Sequence, residues 1–165
     1  SEHQLIGTTF SEKTLDVHYN KRFLANISGD KAEIYKTEII RKYKFPLFDG
    51  ENFMTGDVIW LQIGEKYKLR YFNEIIYIGN YLEDGLSKNI TELIQKNPKS
   101  YGYSIFISNK YRKAGLKSRL SSYYHYSQLF FKKLTISEIA ENLKINKATL
   151  FFAKMIWTIA NKLKK

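Results

Sequence analysis

The positive charge of this chain is confined to its last third. Residues 1–109 hold 14 basic and 14 acidic residues, whereas residues 110–165 hold 13 basic and 2 acidic ones. The net charge of +11 therefore belongs entirely to the C-terminal segment. A neutral body joined to a cationic segment predicts two parts of different character. The second part either faces an anionic partner, phospholipid or nucleic acid, or forms a solvated helical face.

Composition excludes several classes of protein. The chain has no cysteine, so it offers no disulfide framework, thiol nucleophile or thiolate zinc site. No apolar run approaches the roughly 20 residues of a membrane-spanning helix. The first four residues lack a charged region followed by an apolar run, so no signal peptide is expected at this end. His3, His18 and His125 are too scattered in sequence to predict a metal site.

Periodicity predicts an α+β portion over residues 1–87. The expected helices are Thr37–Lys42 and Asp57–Lys66, where Asp57 would lie in the first turn near the positive end of the helix dipole. Three strands are expected, and the last two would form a hairpin through Asn73-Glu74. These strands are Ala32–Lys36, Lys68–Phe72 and Ile75–Tyr81.

The remaining residues, 88–165, predict an all-helical extension. Asn89 and Glu92 have the spacing of a capping box, Thr135 and Glu138 repeat it, and Pro98 is expected to close the first helical segment. The later helices are expected over Tyr101–Lys113, Leu116–Lys133, Thr135–Leu143 and Thr149–Leu163.

Four motifs between Ile27 and Asn89 resemble bacterial family 2 glycosyltransferases, and they occur in the family's order and spacing. They are Gly29-Asp30-Lys31-Ala32-Glu33-Ile34-Tyr35-Lys36, Phe45-Pro46-x-Phe48-x-Gly50-Glu51-x-Phe53, Gly56-Asp57-Val58-Ile59-Trp60 and Tyr81-Leu82-Glu83-Asp84-Gly85-Leu86-Ser87.

The resemblance implies the C-terminal, acceptor-side part of a GT-A-type α/β domain. Enzymes of this family transfer a sugar from a nucleotide-diphospho-sugar, with inversion, to a glycan or lipid-linked acceptor in cell-surface polysaccharide assembly. They use a divalent metal, Mg²⁺ or Mn²⁺, at an Asp-x-Asp motif in the donor-binding half. This chain contains no Asp-x-Asp. We therefore expect a fragment that is inactive alone, binds no metal by itself and works on the cytoplasmic face of the cell membrane.

By resemblance, Asp57 is the general base that takes the proton of the acceptor hydroxyl. Read from spacing alone, it is an ordinary acidic residue in a first helical turn, stabilising the dipole. The family usually has a Glu-Asp pair here, whereas this chain has Gly56 before Asp57. Glu51 is the candidate for the second carboxylate and for acceptor binding.

Four further residues are candidates for acceptor or substrate binding. Asp30 follows a glycine and is equally a turn residue. Asp84 and Ser87 belong to a Glu-Asp-Gly loop that the resemblance places over the site and that turn chemistry interprets as a β-turn. Trp60 could stack on a sugar ring, although aromatic residues at helical spacing are more often part of a core.

The cationic segment leaves two hypotheses open. Residues 135–150 resemble a DNA-binding helix-turn-helix, which makes nucleic-acid binding the alternative function. The following helix is apolar around nearly its whole circumference, which favours a core, a partner groove or a membrane interface over a reader of base edges. We expect docking on an anionic membrane through aromatic residues and snorkelling cations. These cations are Lys110, Arg112, Lys113, Lys117, Arg119, Lys132, Lys133, Lys154, Lys162, Lys164 and Lys165.

Overall fold

The computed structural model describes residues 5–29, 31–76, 78–79, 85–86 and 88–162. Within these ranges the chain is a mixed α and β structure in which helices dominate. In chain order the elements are β1 (Thr14–His18), a 3₁₀ turn (Tyr19–Lys21), α1 (Thr37–Ile40), α2 (Asp57–Lys66), β2 (Lys68–Phe72), α3 (Ile90–Lys96), α4 (Pro98–Tyr111), α5 (Leu116–Phe130), α6 (Ile136–Asn142) and α7 (Lys147–Lys162).

The sheet pairs β2 with β1 in antiparallel register, so the predicted hairpin partner of β2 was wrong. Side-chain complementarity explains the pairing, since Leu15 lies opposite Tyr71 on one face and Asp16 lies opposite Arg70 on the other. The Arg70 guanidinium donates two hydrogen bonds to Asp16, at 2.8 and 2.7 Å. These pairs join segments more than fifty residues apart. The alternation of apolar and polar residues within one segment does not indicate so distant a partner.

The described residues of the two other predicted strands are irregular. Residues 31–36 form no strand, and neither do residues 75, 76, 78 and 79. Ile75 and Ile78 are exposed, so the alternation that predicted a strand there does not separate a buried face from a solvent face. Its described apolar residues, Ile75, Ile76 and Ile78, therefore do not contribute to the buried core.

The described residues contain two apolar clusters. The first lies under α2 and consists of Tyr19, Val58, Leu61 and Ile107. The second fills the helical bundle and includes Tyr126, Phe130, Ile139, Leu143 and Leu150. α4 contributes to both, because it packs on α2 and also on α5 and α6. This helix therefore joins the two parts that the sequence predicts as separate domains.

The approach of α4 to α6 depends on a glycine. A β-carbon on Gly102 would lie 2.7 Å from the backbone oxygen of Asn142. Tyr126 of α5 secures the same contact, since its hydroxyl donates to the Pro98 carbonyl at 2.8 Å and accepts from the Asn142 amide at 3.0 Å. Tyr126 is almost fully buried, and this burial raises the pKa of its hydroxyl.

Helix ends match the sequence signals in one case and depart from them in another. Thr135 and Glu138 form the predicted capping box, with both reciprocal bonds present. Asn89 precedes α3 without a side-chain cap, because its amide instead donates to the Gly85 carbonyl. Glu92 pairs with Lys96 one turn further on. Pro98 separates α3 from α4, as predicted, and is itself the first residue of α4.

The C-terminal helices lie close to their predicted positions, with ends that differ by a few residues. No helix in the described part of the chain combines the length and the apolar character that crossing a bilayer requires. The longest, α7, has 16 residues.

Two buried tyrosines make a matched test of this packing. Tyr126→Phe should lower the free energy of unfolding by about 1–3 kcal/mol, because it leaves the Pro98 carbonyl and the Asn142 amide without a partner. Tyr71→Phe should change it by less than about 0.5 kcal/mol, because the buried Tyr71 hydroxyl has no hydrogen-bond partner in the described structure. Urea unfolding followed by far-ultraviolet circular dichroism measures both. Equal losses would contradict this account of Tyr126.

Candidate functional site

Asp57 lies at the first position of α2, at the positive end of the helix dipole. The Thr55 hydroxyl donates to its Oδ1 at 2.6 Å, and the same hydroxyl lies 3.1 Å from Oγ of Ser104. About a third of the Asp57 side chain is exposed. The carboxylate is therefore held in one orientation and remains open to a ligand on one side.

Two arginines from distant segments meet near this carboxylate. Nη2 of Arg112, the residue after α4, lies 3.8 Å from Oδ2 of Asp57. Both the Arg112 and the Arg22 guanidiniums lie over the ring of Phe23, at 5.2 and 4.8 Å from its centroid. The Asn20 amide donates to the Tyr111 carbonyl at 2.9 Å and fixes the end of α4 against this segment.

A group of three tyrosines, two buried and one half-buried, adjoins the arginines. Burial raises the pKa of Tyr19, of Tyr35 and of Tyr71, the last to about 12, and Arg22 opposes this rise in all three. The hydroxyls of Tyr35 and Tyr71 and the Nε atoms of Arg22 and Arg112 are buried without a hydrogen-bond partner in the described structure. Such unpaired buried donors are unusual in a purely structural core, where buried polar groups are nearly always paired.

Trp60 occupies the same end of α2. It follows Asp57 by three residues, so the two side chains share a helix face. Its indole stacks on Tyr35, with ring centroids 4.6 Å apart and planes inclined by 12°. A β-carbon on Gly56 would lie 3.0 Å from the indole Nε1. The glutamate that the family usually has at this position would therefore require the indole to move.

Glu51 has a structural role at the start of α4. Its two carboxylate oxygens accept hydrogen bonds from the backbone amides of Lys99 and Ser100, each at 2.7 Å. These amides belong to the first turn of α4 and have no partner within the helix. Glu51 thus caps α4 from a distant loop, which accounts for both of its oxygens. Its predicted acceptor contact stays a prediction.

Asn97, the residue before α4, binds the backbone of the same loop that carries Glu51. Asn97, almost completely buried, uses its side-chain oxygen to accept from the amides of Asn52 and Phe53 at 2.8 and 3.1 Å. Its amide donates to the Leu93 carbonyl. The loop therefore caps α4 through Glu51, and Asn97 at the α3–α4 junction in turn binds the backbone of the loop.

Asp30, Asp84 and Ser87 lie outside the described residues. Of the predicted site residues, the structure brings Asp57 and Trp60 together and places Glu51 at the N-terminus of α4. Sequence reasoning missed Arg112, which lies beside Asp57, Tyr35, which stacks on Trp60, and Arg22, which shares the Phe23 ring with Arg112. The sequence predicts Arg112 among the membrane-facing cations, because no local pattern links it to Asp57, 55 positions earlier.

No metal-binding group of three or more His, Cys, Asp or Glu side chains occurs among the described residues. The described residues thus do not provide the ligand set for the divalent ion that the resemblance implies.

A separate cleft of about 430 Å³ lies between the start of α4 and α6. Its charged lining is balanced, with Lys99 and Lys144 against Glu138 and Glu141. None of the predicted site residues within the described ranges lines it. The residues around Asp57 therefore remain the better candidate for a reacting centre.

Comparison of the chain with protein-family models, with curated proteins and with solved structures gives no match in any of the three. The glycosyltransferase assignment thus depends on the quoted sequence motifs and on the geometry around Asp57.

The role of Glu51 can be separated from catalysis by measuring stability. Glu51→Ala should lower the free energy of unfolding by about 1–2 kcal/mol, because two amides of α4 lose their cap. Glu74→Ala, at an exposed glutamate, is the control and should change it by less than about 0.5 kcal/mol. A Glu51 variant as stable as the control in urea unfolding would contradict the capping role.

Proposed function

We propose that this chain is the acceptor-side part of an inverting glycosyltransferase of the GT-A type, with Asp57 as its general base. The observation that carries the proposal is the Asp57 carboxylate, which is oriented by Thr55, partly open to solvent and bordered by Arg112. The family motifs around it supply the reaction class. The full enzyme would take a nucleotide-diphospho-sugar as donor and a glycan or lipid-linked hydroxyl as acceptor.

The proposed step begins at the acceptor hydroxyl, a poor nucleophile while it keeps its proton. A carboxylate oxygen of Asp57 accepts that proton as the hydroxyl oxygen forms a bond to the anomeric carbon of the donor sugar. The bond between the anomeric carbon and the diphosphate oxygen breaks, and the nucleoside diphosphate leaves with the electron pair. Attack from the face opposite the leaving group inverts the anomeric configuration.

The neighbours of Asp57 fit this task. The Thr55 hydroxyl occupies Oδ1, which leaves Oδ2 on the side of Arg112. A fixed carboxylate needs little reorganisation when the acceptor arrives. Trp60, held against Tyr35, offers a rigid apolar surface on the same face of α2. In this proposal Trp60 contacts the acceptor ring while Asp57 contacts its hydroxyl.

The unpaired buried donors give the site a second capability. Guanidinium groups are the side chains best suited to bind phosphate or carboxylate oxygens. The Nε atoms of Arg22 and Arg112 are buried and have no partner among the described residues; the Arg112 guanidinium lies beside Asp57, and Phe23 connects it to that of Arg22. In this proposal an anionic group of the substrate binds these donors once the cluster opens, because the two Nε atoms are closed to solvent in the structure.

Substitution of the base tests the proposal directly. In the complete enzyme, Asp57→Asn should lower the rate of sugar transfer by at least about a hundredfold, since an amide cannot accept the proton. Binding of the nucleotide-sugar, measured by calorimetry, should be unchanged. Asp49→Asn, at an exposed aspartate, is the matched control and should transfer at the rate of the unchanged enzyme.

Two results would overturn the assignment. Unchanged turnover in Asp57→Asn would remove Asp57 from the role of base. Sugar transfer from a nucleotide donor by this chain alone would contradict its description as the acceptor-side part.

The alternative of nucleic-acid binding receives less support from the C-terminal helices. α6 and α7 are joined by a short turn, and Lys144 within it has a φ of +55°. Their order resembles a helix-turn-helix, yet the exposed side of α7 carries large apolar side chains. Reading of base edges requires hydrogen-bonding groups there.

A further inference from the structure

One side of α7 is apolar and exposed. The four large side chains on it are Phe151, Phe152, Met155 and Ile159, whose exposed fractions are 70, 44, 44 and 52 %. At 100° per residue these positions fall within one arc of the helix, here called the outer face of α7. A contiguous exposed apolar patch of this kind is typical of an interaction surface in a folded protein.

The opposite side of the same helix is fixed to the bundle. Leu150 and Ala153 are buried in the helical core, and α7 packs along α5. The Trp157 ring contacts Tyr124 and His125 of α5, at centroid distances of 6.2 and 6.0 Å. The outer face therefore cannot turn inward without loss of this core. It is a surface that the fold holds outward.

Positive charge borders this face. Helical spacing places Lys147 and Lys154 along one edge of the arc, next to Phe151. α7 contains no acidic residue. The two acidic residues of the cationic segment, Glu138 and Glu141, belong to α6, and Glu138 is bound in its capping box. An apolar face with lysines along one edge complements a surface that is apolar inside and negative outside.

We propose that the outer face of α7 docks on the surface of an anionic phospholipid membrane. Its aromatic and aliphatic side chains enter the boundary between headgroups and acyl chains, and the lysines at its edge contact the phosphate groups. The helix lies in the plane of the surface. This inference does not depend on the proposed transfer reaction, because it uses none of the residues around Asp57.

The same observations disfavour two other occupants. Duplex DNA would meet aromatic and aliphatic side chains where hydrogen-bond donors and acceptors are required. A second copy of the chain packed face to face and antiparallel would bring the lysine edges of two helices together, and like charges repel across an interface. An anionic bilayer satisfies both the apolar arc and the charged edge.

Vesicle sedimentation tests the proposal with the whole chain. The unchanged protein should bind vesicles of equal parts phosphatidylglycerol and phosphatidylcholine, and bind vesicles of phosphatidylcholine alone at least about tenfold more weakly. Raised salt should weaken binding to the anionic vesicles, because it screens the lysines.

Paired variants separate the apolar and the charged contributions. Phe151→Ser with Met155→Ser should weaken binding to anionic vesicles by about tenfold or more. Lys147→Glu with Lys154→Glu should weaken it by about twentyfold or more. The matched controls are Leu47→Ser, at an exposed leucine elsewhere, and Lys42→Glu with Lys44→Glu, and both should bind as the unchanged protein does. Circular dichroism confirms that each variant is folded.

Several outcomes would overturn the proposal. One is equal binding to neutral and anionic vesicles, and another is unchanged binding in both α7 variants. Salt-sensitive binding of duplex DNA without vesicle binding would assign the face to nucleic acid. Self-association that disappears in Phe151→Ser with Met155→Ser, again without vesicle binding, would assign it to a second copy of the chain.

Discussion

The first turn of α4 is the constraint on which the rest of this structure depends. Its amides are capped by Glu51 from a loop nearly fifty residues earlier, while Asn97 binds the backbone of the same loop. Asn97 is almost fully buried, and a buried polar group that is left unpaired costs about 1–3 kcal/mol. These reciprocal hydrogen bonds therefore connect the segment before α2 to the helical bundle.

The other end of α4 completes the candidate site. A helix of 14 residues spans about 21 Å, so α4 carries the effect of its anchored first turn to Arg112 beyond its last turn. Asn20 holds that end through the Tyr111 carbonyl, and Arg112 then reaches Asp57. Asp57 and its cationic neighbour come from the two parts that the charge pattern separates. The site around Asp57 is thus a product of their packing and belongs to neither part alone.

Sequence patterns predicted the elements that are defined locally. α2 follows from its apolar spacing, and the capping box before α6 needs only Thr135 and Glu138. The partner of β2 was missed because strand pairing depends on contacts between residues as distant as Asp16 and Arg70. The same limit hid the capping role of Glu51. For the site, sequence indicated Asp57 and Trp60, whereas Arg22 and Tyr35 reach it through tertiary contacts that leave no local signature.

The basic residues of the C-terminal segment lie in different environments in the folded chain. Arg112 contributes its charge to a half-buried pair with Asp57, where water screens it less than on an open surface. Lys147 and Lys154 lie at the edge of an exposed apolar face. There a lysine is attracted to a nearby negative surface, and salt screens this attraction. A count of charges treats these residues alike. Their surroundings separate Arg112, which is paired with Asp57, from the lysines of α7, which border an exposed apolar face.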